Sequence, residues 1–213
     1  MSEQLPTGGH QLSPAEIDAL DARWSSCWRP QEVARRLAGT TTPWCVAAGW
    51  ALDLFRGEQT REHGDIEIAI PAAGFADIRG RFPGHVFDAV GSGRIWANAT
   101  PDELGATHQT WLRDPATGDY RLDVFREPHQ GDTWICRRDE TIRLPYRDII
   151  HHTEDAVPYL APELVLLFKA KHVRPKDQAD FDGTVPRLTR DQRATLAGLL
   201  TRVHPGHRWL AHL

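Results

Sequence analysis

The chain opens with helical spacing, passes into short apolar runs broken by turn formers, and ends in long helical runs. Ser13-Pro14-Ala15-Glu16 has the form of a capping box with proline at the first helical position. Ile17, Leu20 and Trp24 follow at helical intervals, so a helix is predicted there. Arg29-Pro30 interrupts it. A second short helix, with Val33 and Leu37 on one face, is predicted to stop at Gly39. Residues 1–12 read as a flexible lead-in.

Trp44 to Ala48 is compact and apolar and predicts a buried strand, with Gly49 turning the chain into a short helix over Trp50 to Arg56. Gly57 to Gly64 is polar and reads as a loop. Asp65-Ile66-Glu67-Ile68-Ala69-Ile70 alternates with period two, which marks a strand with one face on a core, ended by Pro71. A helix over Phe75 to Arg81 and strands over Val86 to Val90 and Arg94 to Ala97 are predicted next, with Ser92 in a turn between Gly91 and Gly93. Thr107 to Leu112 and Tyr120 to Arg126 flank a segment rich in turn formers, Asp114 to Asp119, and predict a hairpin. Trp134 to Arg138 with Thr141 to Leu144 predicts another. After Pro158 three helices are predicted: Ala161 to His172, Lys176 to about Val185, and Arg190 to His204, the last capped by Thr189 and Gln192. Strands grouped between helices give an α+β fold class. The expected division is a lead-in over 1–12, a core over 13–157 and a C-terminal helical segment over 158–213.

Composition narrows the class of protein. With 40% hydrophobic and 25% charged residues, the 213-residue chain has the make-up of a soluble globular protein. No apolar run approaches the roughly 18 residues of a membrane span, and the N-terminus lacks the regions of a signal peptide, so a cytoplasmic location is expected. Twenty-five basic residues against 29 acidic ones give a net charge of -4, which weighs against a nucleic-acid partner. Cys27, Cys45 and Cys136 are odd in number and widely spaced, which suits a reducing compartment.

The candidate chemistry begins at Asp65 and Glu67. Two residues apart on a strand, their carboxylates share a face. They repel each other unless a cation lies between them, and hard oxygen ligands suit Mg²⁺. The plain alternative is a pair of exposed acids on an edge strand. A third acid, Asp123, lies within Arg121-Leu-Asp-Val-Phe125, where it would share a face with Arg121 and Phe125. Gly49 sits at a strand-to-helix turn, where backbone amides can hold phosphate oxygens. Arg61 and His63 stand just before the acids, as phosphate contacts or as braces of the loop. Asp53 is expected to brace the same turn.

The run GWALDLFRGEQTREHGDIEIAI resembles the motif of nucleotidyltransferase-fold enzymes that inactivate antibiotics, the lincosamide and aminoglycoside 2''-nucleotidyltransferases. Those enzymes carry a Gly-Gly-Trp turn, a short helix, a Thr-Arg-x-His loop and an Asp-x-Asp strand. The tail from Tyr159 to Lys171, with Arg174-Pro-Lys-Asp177 and Asp180-Phe181, is similar to the helical segment of uncharacterised members of that group, so the resemblance covers roughly residues 44–210. It implies a polymerase-beta-like mixed sheet flanked by helices, with a C-terminal helical segment. Carried over, Asp65 and Glu67 bind Mg²⁺ and the nucleotide's phosphates. Asp123 holds a second metal or takes the proton of the attacking hydroxyl, and Trp50 props the phosphate turn beside Gly49. Two positions depart from the pattern. Ala48 stands where glycine is usual, which tightens the phosphate turn. Glu67 stands where aspartate is commoner and reaches one methylene further.

The resemblance implies an enzyme that moves a nucleoside monophosphate from a nucleoside triphosphate, ATP, to a hydroxyl of a small molecule, releasing pyrophosphate. The acceptor class is an aminoglycoside or lincosamide-type antibiotic. The alternatives are a toxin-like transferase acting on tRNA or protein, and a non-catalytic nucleotide-binding relative. Within the basic run of the tail, Lys169 and Lys176 are expected to face the triphosphate, against the alternative of a solvated helix face. Glu163 and Asp177 read as caps or salt-bridge partners. His151-His152 lacks the spacing of a zinc site. Three of the eight tryptophans, Trp96, Trp111 and Trp134, lie in the strand region around Asp123 and are the candidate aromatic walls of an acceptor pocket.

Overall fold

The computed structural model describes residues 5–213. Residues 1–4, the start of the expected flexible lead-in, lie outside the described residues. In chain order, β1 (His10–Gln11) precedes α1 (Pro14–Trp24) and α2 (Pro30–Arg36), and β2 (Cys45–Val46) runs into α3 (Ala48–Arg56). Next come β3 (Glu67–Pro71), α4 (Phe75–Gly80), β4 (Val86–Gly91), β5 (Arg94–Trp96), α5 (Pro101–Ala106), β6 (Gln109–Arg113) and β7 (Tyr120–Glu127). Short elements follow: β8 (His129–Gln130), β9 (Thr133–Ile135), β10 (Arg143–Pro145), α6 (Tyr146–Ile149), β11 (Ile150–His152) and β12 (Pro158–Leu160). The chain closes with α7 (Pro162–Lys169), α8 (Pro175–Thr184) and α9 (Arg190–Val203). No helix among the described residues is long and apolar enough to cross a membrane.

The chain divides into two compact units with interleaved sequence. One ends at Cys45 and resumes over His63–His129; the other joins Val46–Glu62 to Gln130–Leu213.

The first unit is built on a mixed sheet in the order β1-β5-β4-β6-β7-β3. β3 runs parallel to β7, and the other pairs are antiparallel. The period-two pattern explains its core. Ile66, Ile68 and Ile70 are fully buried, as are Leu112, Leu122 and Val124 on the neighbouring strands. Ser92 and Gly93, both at positive φ, close the β4–β5 hairpin as a tight turn. The β6–β7 hairpin turns over Asp114–Asp119 as the turn chemistry predicts, with the Asp114 N–H donating to the Asp119 carbonyl. A register shift between Leu112 and Arg113 interrupts this ladder. α1 starts at the Ser13/Glu16 capping box and packs its last residue, Trp24, against Trp111 and Tyr120.

Two features of this unit differ from the sequence expectation. His10 and Gln11 are not loose: they pair with Ile95 and Arg94, because the open edge of β5 offers unpaired backbone groups that a further strand satisfies. Helix α5 also went unpredicted. Its signal is a second capping box, Thr100 with Glu103, ahead of a helix too short for periodicity to register.

In the second unit α3 packs against α7, α8 and β12, and α7 against α9. Val46 pairs in parallel with Tyr159, and β11 and β12 form an antiparallel hairpin. The hairpin expected around Trp134 pairs Thr133–Ile135 with Arg143–Pro145. The expected strand over Trp44 to Ala48 shrinks to Cys45–Val46 because the backbone turns at Ala48. That alanine, rather than Gly49, carries the left-handed φ of 49° and begins α3.

Candidate functional site

Strand register assembles one row of side chains on a single face of the first unit's sheet. Asp88 on β4 lies opposite Trp111 on β6. Trp111 lies opposite Asp123 on β7, and Asp123 opposite Glu67 on β3. The Asp123 N–H donates to the Ile66 carbonyl at 2.9 Å, which extends the β3–β7 pairing back toward Asp65. The sequence sets Asp65 and Glu67 on one strand face and Asp123 on a face with Arg121 and Phe125; the register adds that Glu67 stands opposite Asp123. Glu67 is half-buried and Asp65, just before the strand, is exposed.

Asp123 is buried, with 3% exposure. Its Oδ2 accepts from Gln109 Nε2 and from Trp111 Nε1, the latter at 3.2 Å. Its Oδ1 is buried and has no hydrogen-bond partner. Burial pushes this carboxyl well above the usual carboxylate range; Gln109 opposes the shift, while the negative charge of Asp65 adds to it. A buried acceptor left unmade costs about 1–3 kcal/mol, and a bound cation is what removes that cost for a carboxylate among carboxylates. Among the described residues no three His, Cys, Asp or Glu side chains form a ready-made metal cluster. Mg²⁺ does not need one, since it is commonly held by one or two carboxylates with waters and substrate phosphates. The oxygen-only character of Asp65, Glu67 and the orphaned Asp123 Oδ1 fits that ion.

Cys27 borders the acids. Its Sγ lies 3.8 Å from the carbonyl of Gly64, the residue before Asp65. Burial, reinforced by the charge of Asp65, raises its thiol and keeps it protonated.

The second unit holds a separate polar network. Lys169 Nζ lies 2.9 Å from both Asp177 Oδ1 and Asp180 Oδ2. Arg174 Nε meets Asp177 at 2.7 Å and Arg61 Nε meets Asp180 at 3.3 Å. For Asp177 burial opposes ionisation, but hydrogen bonds from Arg174 and Lys169 outweigh it and hold the carboxyl below its ordinary range. Asp180 is lowered in the same way, burial being overcome by Lys169 and then by Arg61. Nearby, Thr60 Oγ1 donates to Asp53 at 2.6 Å and Arg56 Nη2 donates to the Asp180 carbonyl at 2.6 Å.

This network holds two cations that the sequence also offered to phosphate. Lys169 lies inward, where its ammonium is the counter-charge of two buried aspartates on α8. Arg61 braces its loop against Asp180. Lys176 is exposed in the first turn of α8, and His63 is half-buried in the other unit. Gly49 and Trp50 are buried in the first turn of α3.

The three tryptophans expected as an aromatic wall are not brought together. Trp96 is buried against Ala89, Ala99, Leu5 and Leu104, with its Nε1 donating to the Thr7 carbonyl. Trp134, in the second unit, packs edge-on against Phe168. Trp111 is buried between Trp24 and Tyr120, and its indole N–H serves Asp123 rather than an open pocket. Apolar faces this large are claimed by packing before they are left to solvent. Gln109 was missed altogether. Its signal was its place, diagonal to Asp123 across a predicted hairpin.

Comparison with known proteins bears out the family resemblance and the fold. Residues 31–98 match the family model described as aminoglycoside-2''-adenylyltransferase. The chain is similar in structure to ANT(2'')-Ia in complex with adenylyl-2''-tobramycin, with a TM-score of 0.54 and 14% identity over 81% of this chain and 95% of that one. The solution structure of ANT(2'')-Ia gives a TM-score of 0.52 and 13% identity over 86% and 95%. Lincomycin-bound LnuA, a lincosamide antibiotic adenylyltransferase, has a TM-score of 0.49 and 16% identity over 80% and 95%. No curated protein matches the chain in sequence. The mixed sheet with its flanking helices is the nucleotidyltransferase fold.

Proposed function

We propose that this chain, on a nucleotidyltransferase fold, moves a nucleoside monophosphate from a nucleoside triphosphate to a hydroxyl of a small molecule and releases pyrophosphate. The observation that carries the reading is Asp123: a buried carboxylate with one oxygen oriented by two donors and the other orphaned, in register with Glu67. The adenylylated tobramycin held by the ANT(2'')-Ia relative supports ATP as the donor and an antibiotic hydroxyl as the acceptor.

In the reaction the acceptor oxygen forms a bond to the α-phosphorus while the bond from that phosphorus to the β-phosphate oxygen breaks. The hydroxyl proton passes to the Asp123 carboxylate. Asp65, Glu67 and Asp123 Oδ1 would hold Mg²⁺, which when bound screens the triphosphate charge and eases loss of the hydroxyl proton. Gln109 and Trp111 fix the Asp123 carboxylate so that Oδ1 stays directed away from both donors. Gly49 and Trp50 serve the phosphate turn, with His63 and Lys176 as further nucleotide contacts. Arg61 acts on that turn indirectly, by fixing its loop.

The test is pyrophosphate release by the full chain with Mg²⁺, ATP and a panel of aminoglycosides and lincosamides. Release above an Asp65→Ala control is expected. Release no greater than that control across the panel, with each nucleoside triphosphate, refutes the reading. Label from ATP appearing on tRNA or protein instead would move the acceptor to a macromolecule.

A further inference from the structure

Three neighbouring side chains of the second unit, His151, Tyr159 and Glu163, take no part in the transfer steps above. The β11–β12 hairpin sets His151 directly opposite Tyr159, and their rings lie 5.8 Å apart with a 36° tilt. Both residues are half-buried, so each ring keeps an accessible part. Glu163 stands in the first turn of α7, and its Oε2 is buried with no hydrogen-bond partner. Burial raises the Glu163 carboxyl, against the pull of its own backbone N–H and of the His151 imidazole. Burial raises the Tyr159 phenol as well, and the Glu163 charge adds to it. Glu163 therefore lies close enough to both rings to act on them.

Their place in the unit ties them to the turn at the start of α3. Tyr159 pairs in parallel with Val46, two residues before Ala48, and α3 packs on both β12 and α7. Paired strands stand about 4.8 Å apart and three residues reach at most about 11 Å, so the Tyr159 backbone is within about 16 Å of Gly49. One nucleoside triphosphate with its phosphates at that turn spans this gap with its base. The chemistry of the three groups narrows the ligand. A phosphate or carboxylate would bring negative charge to an unpaired carboxylate. An ammonium carries donors alone and would leave the His151 N–H without an acceptor. An amino-bearing base supplies a donor, an acceptor beside it and a flat face. Adenine sets its 6-amino group beside N7, whereas guanine turns two acceptors, O6 and N7, along the same edge.

We infer that His151, Tyr159 and Glu163 read the base of the donor nucleotide as a 6-aminopurine: the two rings take its face, and Glu163 Oε2 accepts from its amino group. The inference rests on the transfer reading for the position of the phosphates, but its binding claim stands apart from turnover. Glu163 is the specificity-determining residue. A buried acceptor that the right base satisfies is left facing a second acceptor by the wrong one, and that mismatch is what a polar site rejects most strongly. Tyr159 and His151 supply stacking, which every base shares and which discriminates little.

Titration calorimetry on the full chain with Mg²⁺, without any acceptor, tests it with ATP and with inosine triphosphate, which carries a carbonyl oxygen in place of the amino group. The inosine nucleotide is expected to bind about tenfold or more weakly than ATP. In Glu163→Gln the amide can donate to that carbonyl, so the ratio should fall to about one. Tyr159→Leu should weaken both nucleotides alike, by about fivefold or more. The native ratio needs no variant, so misfolding of Glu163→Gln leaves the test intact. Equal binding of the two nucleotides by the native chain, or a native-sized preference in a folded Glu163→Gln, overturns the assignment. Binding of neither nucleotide overturns it together with the transfer reading. A preference that collapses in Glu163→Gln, without pyrophosphate release on any acceptor, refutes the transfer reading and supports the base site. Turnover with the same KM for both nucleotides refutes the base site and spares the reaction.

Discussion

Lys169 offers the sharpest test of how the second unit is held together, because a phosphate-binding lysine and a structural one behave oppositely when replaced. Lys169→Met keeps most of the aliphatic length and removes the charge. The ammonium stands 2.9 Å from two aspartates whose side chains are only 2% and 3% exposed. Removing one partner of a buried pair typically costs about 3–5 kcal/mol. Arg174 still reaches Asp177 and Arg61 still reaches Asp180, so the lower end, about 3 kcal/mol at pH 7, is expected. The pH dependence follows from the direction of the shifts. Both aspartates are held below their ordinary value when folded. Their stabilisation is therefore present above the unfolded-state pKa, about 3.9, and is lost as pH falls through the lower folded value. In Lys169→Met burial is opposed only by Arg174 and Arg61, the folded pKa values rise, and the variant takes up protons at higher pH than the native chain. The stability gap between the two should shrink as pH falls from 7 toward 4. Urea unfolding followed by circular dichroism at both pH values measures it. A gap of the same size at pH 4 and pH 7, or no loss at pH 7 together with weakened ATP binding, would refute the structural role and restore the phosphate one.

Other outcomes follow from single contacts. Trp111→Phe keeps the packing against Trp24 and Tyr120 but removes a donor to Asp123. A hydrogen bond to a charged group contributes roughly 1.5–3 kcal/mol, so kcat should fall about ten- to hundredfold with KM for ATP nearly unchanged; steady-state kinetics showing full kcat contradicts the orienting role. Ala48→Gly should stabilise the protein. A left-handed φ costs an L-residue about 1–2 kcal/mol, and the extra unfolded-state freedom of glycine takes back about 0.4–1 kcal/mol. Ala51→Gly, three residues on and fully buried in the same helix, should destabilise by about 1 kcal/mol or more. Thermal melts that move in the same direction for both variants would show that Ala48 is not strained.

Much of this protein follows from local pattern. Capping boxes at Ser13 and Thr189, alternation through Ile66, Ile68 and Ile70, and turn formers over Asp114–Asp119 are short-range signals. Each dictates an element through backbone geometry and the burial of one face. Period two drew attention to Asp65 and Glu67 without any knowledge of the neighbouring strands, although the strand itself begins only at Glu67. The partners of Asp123 were not legible. An unbroken hairpin continued from the Arg113–Tyr120 pair would set Trp111 opposite Leu122. The single-residue shift between Leu112 and Arg113 sets it opposite Asp123 instead and turns a presumed pocket wall into the donor that orients the buried acid. Lys169 and Arg61 likewise look like free cations along the chain and become counter-ions once Asp177 and Asp180 are buried near them. Periodicity reports which face of an element is apolar, because that depends on residues a turn apart. Which side chain completes a buried charge depends on another element, 8 residues on for Lys169 and Asp177 but 119 for Arg61 and Asp180, and only the tertiary structure brings those together.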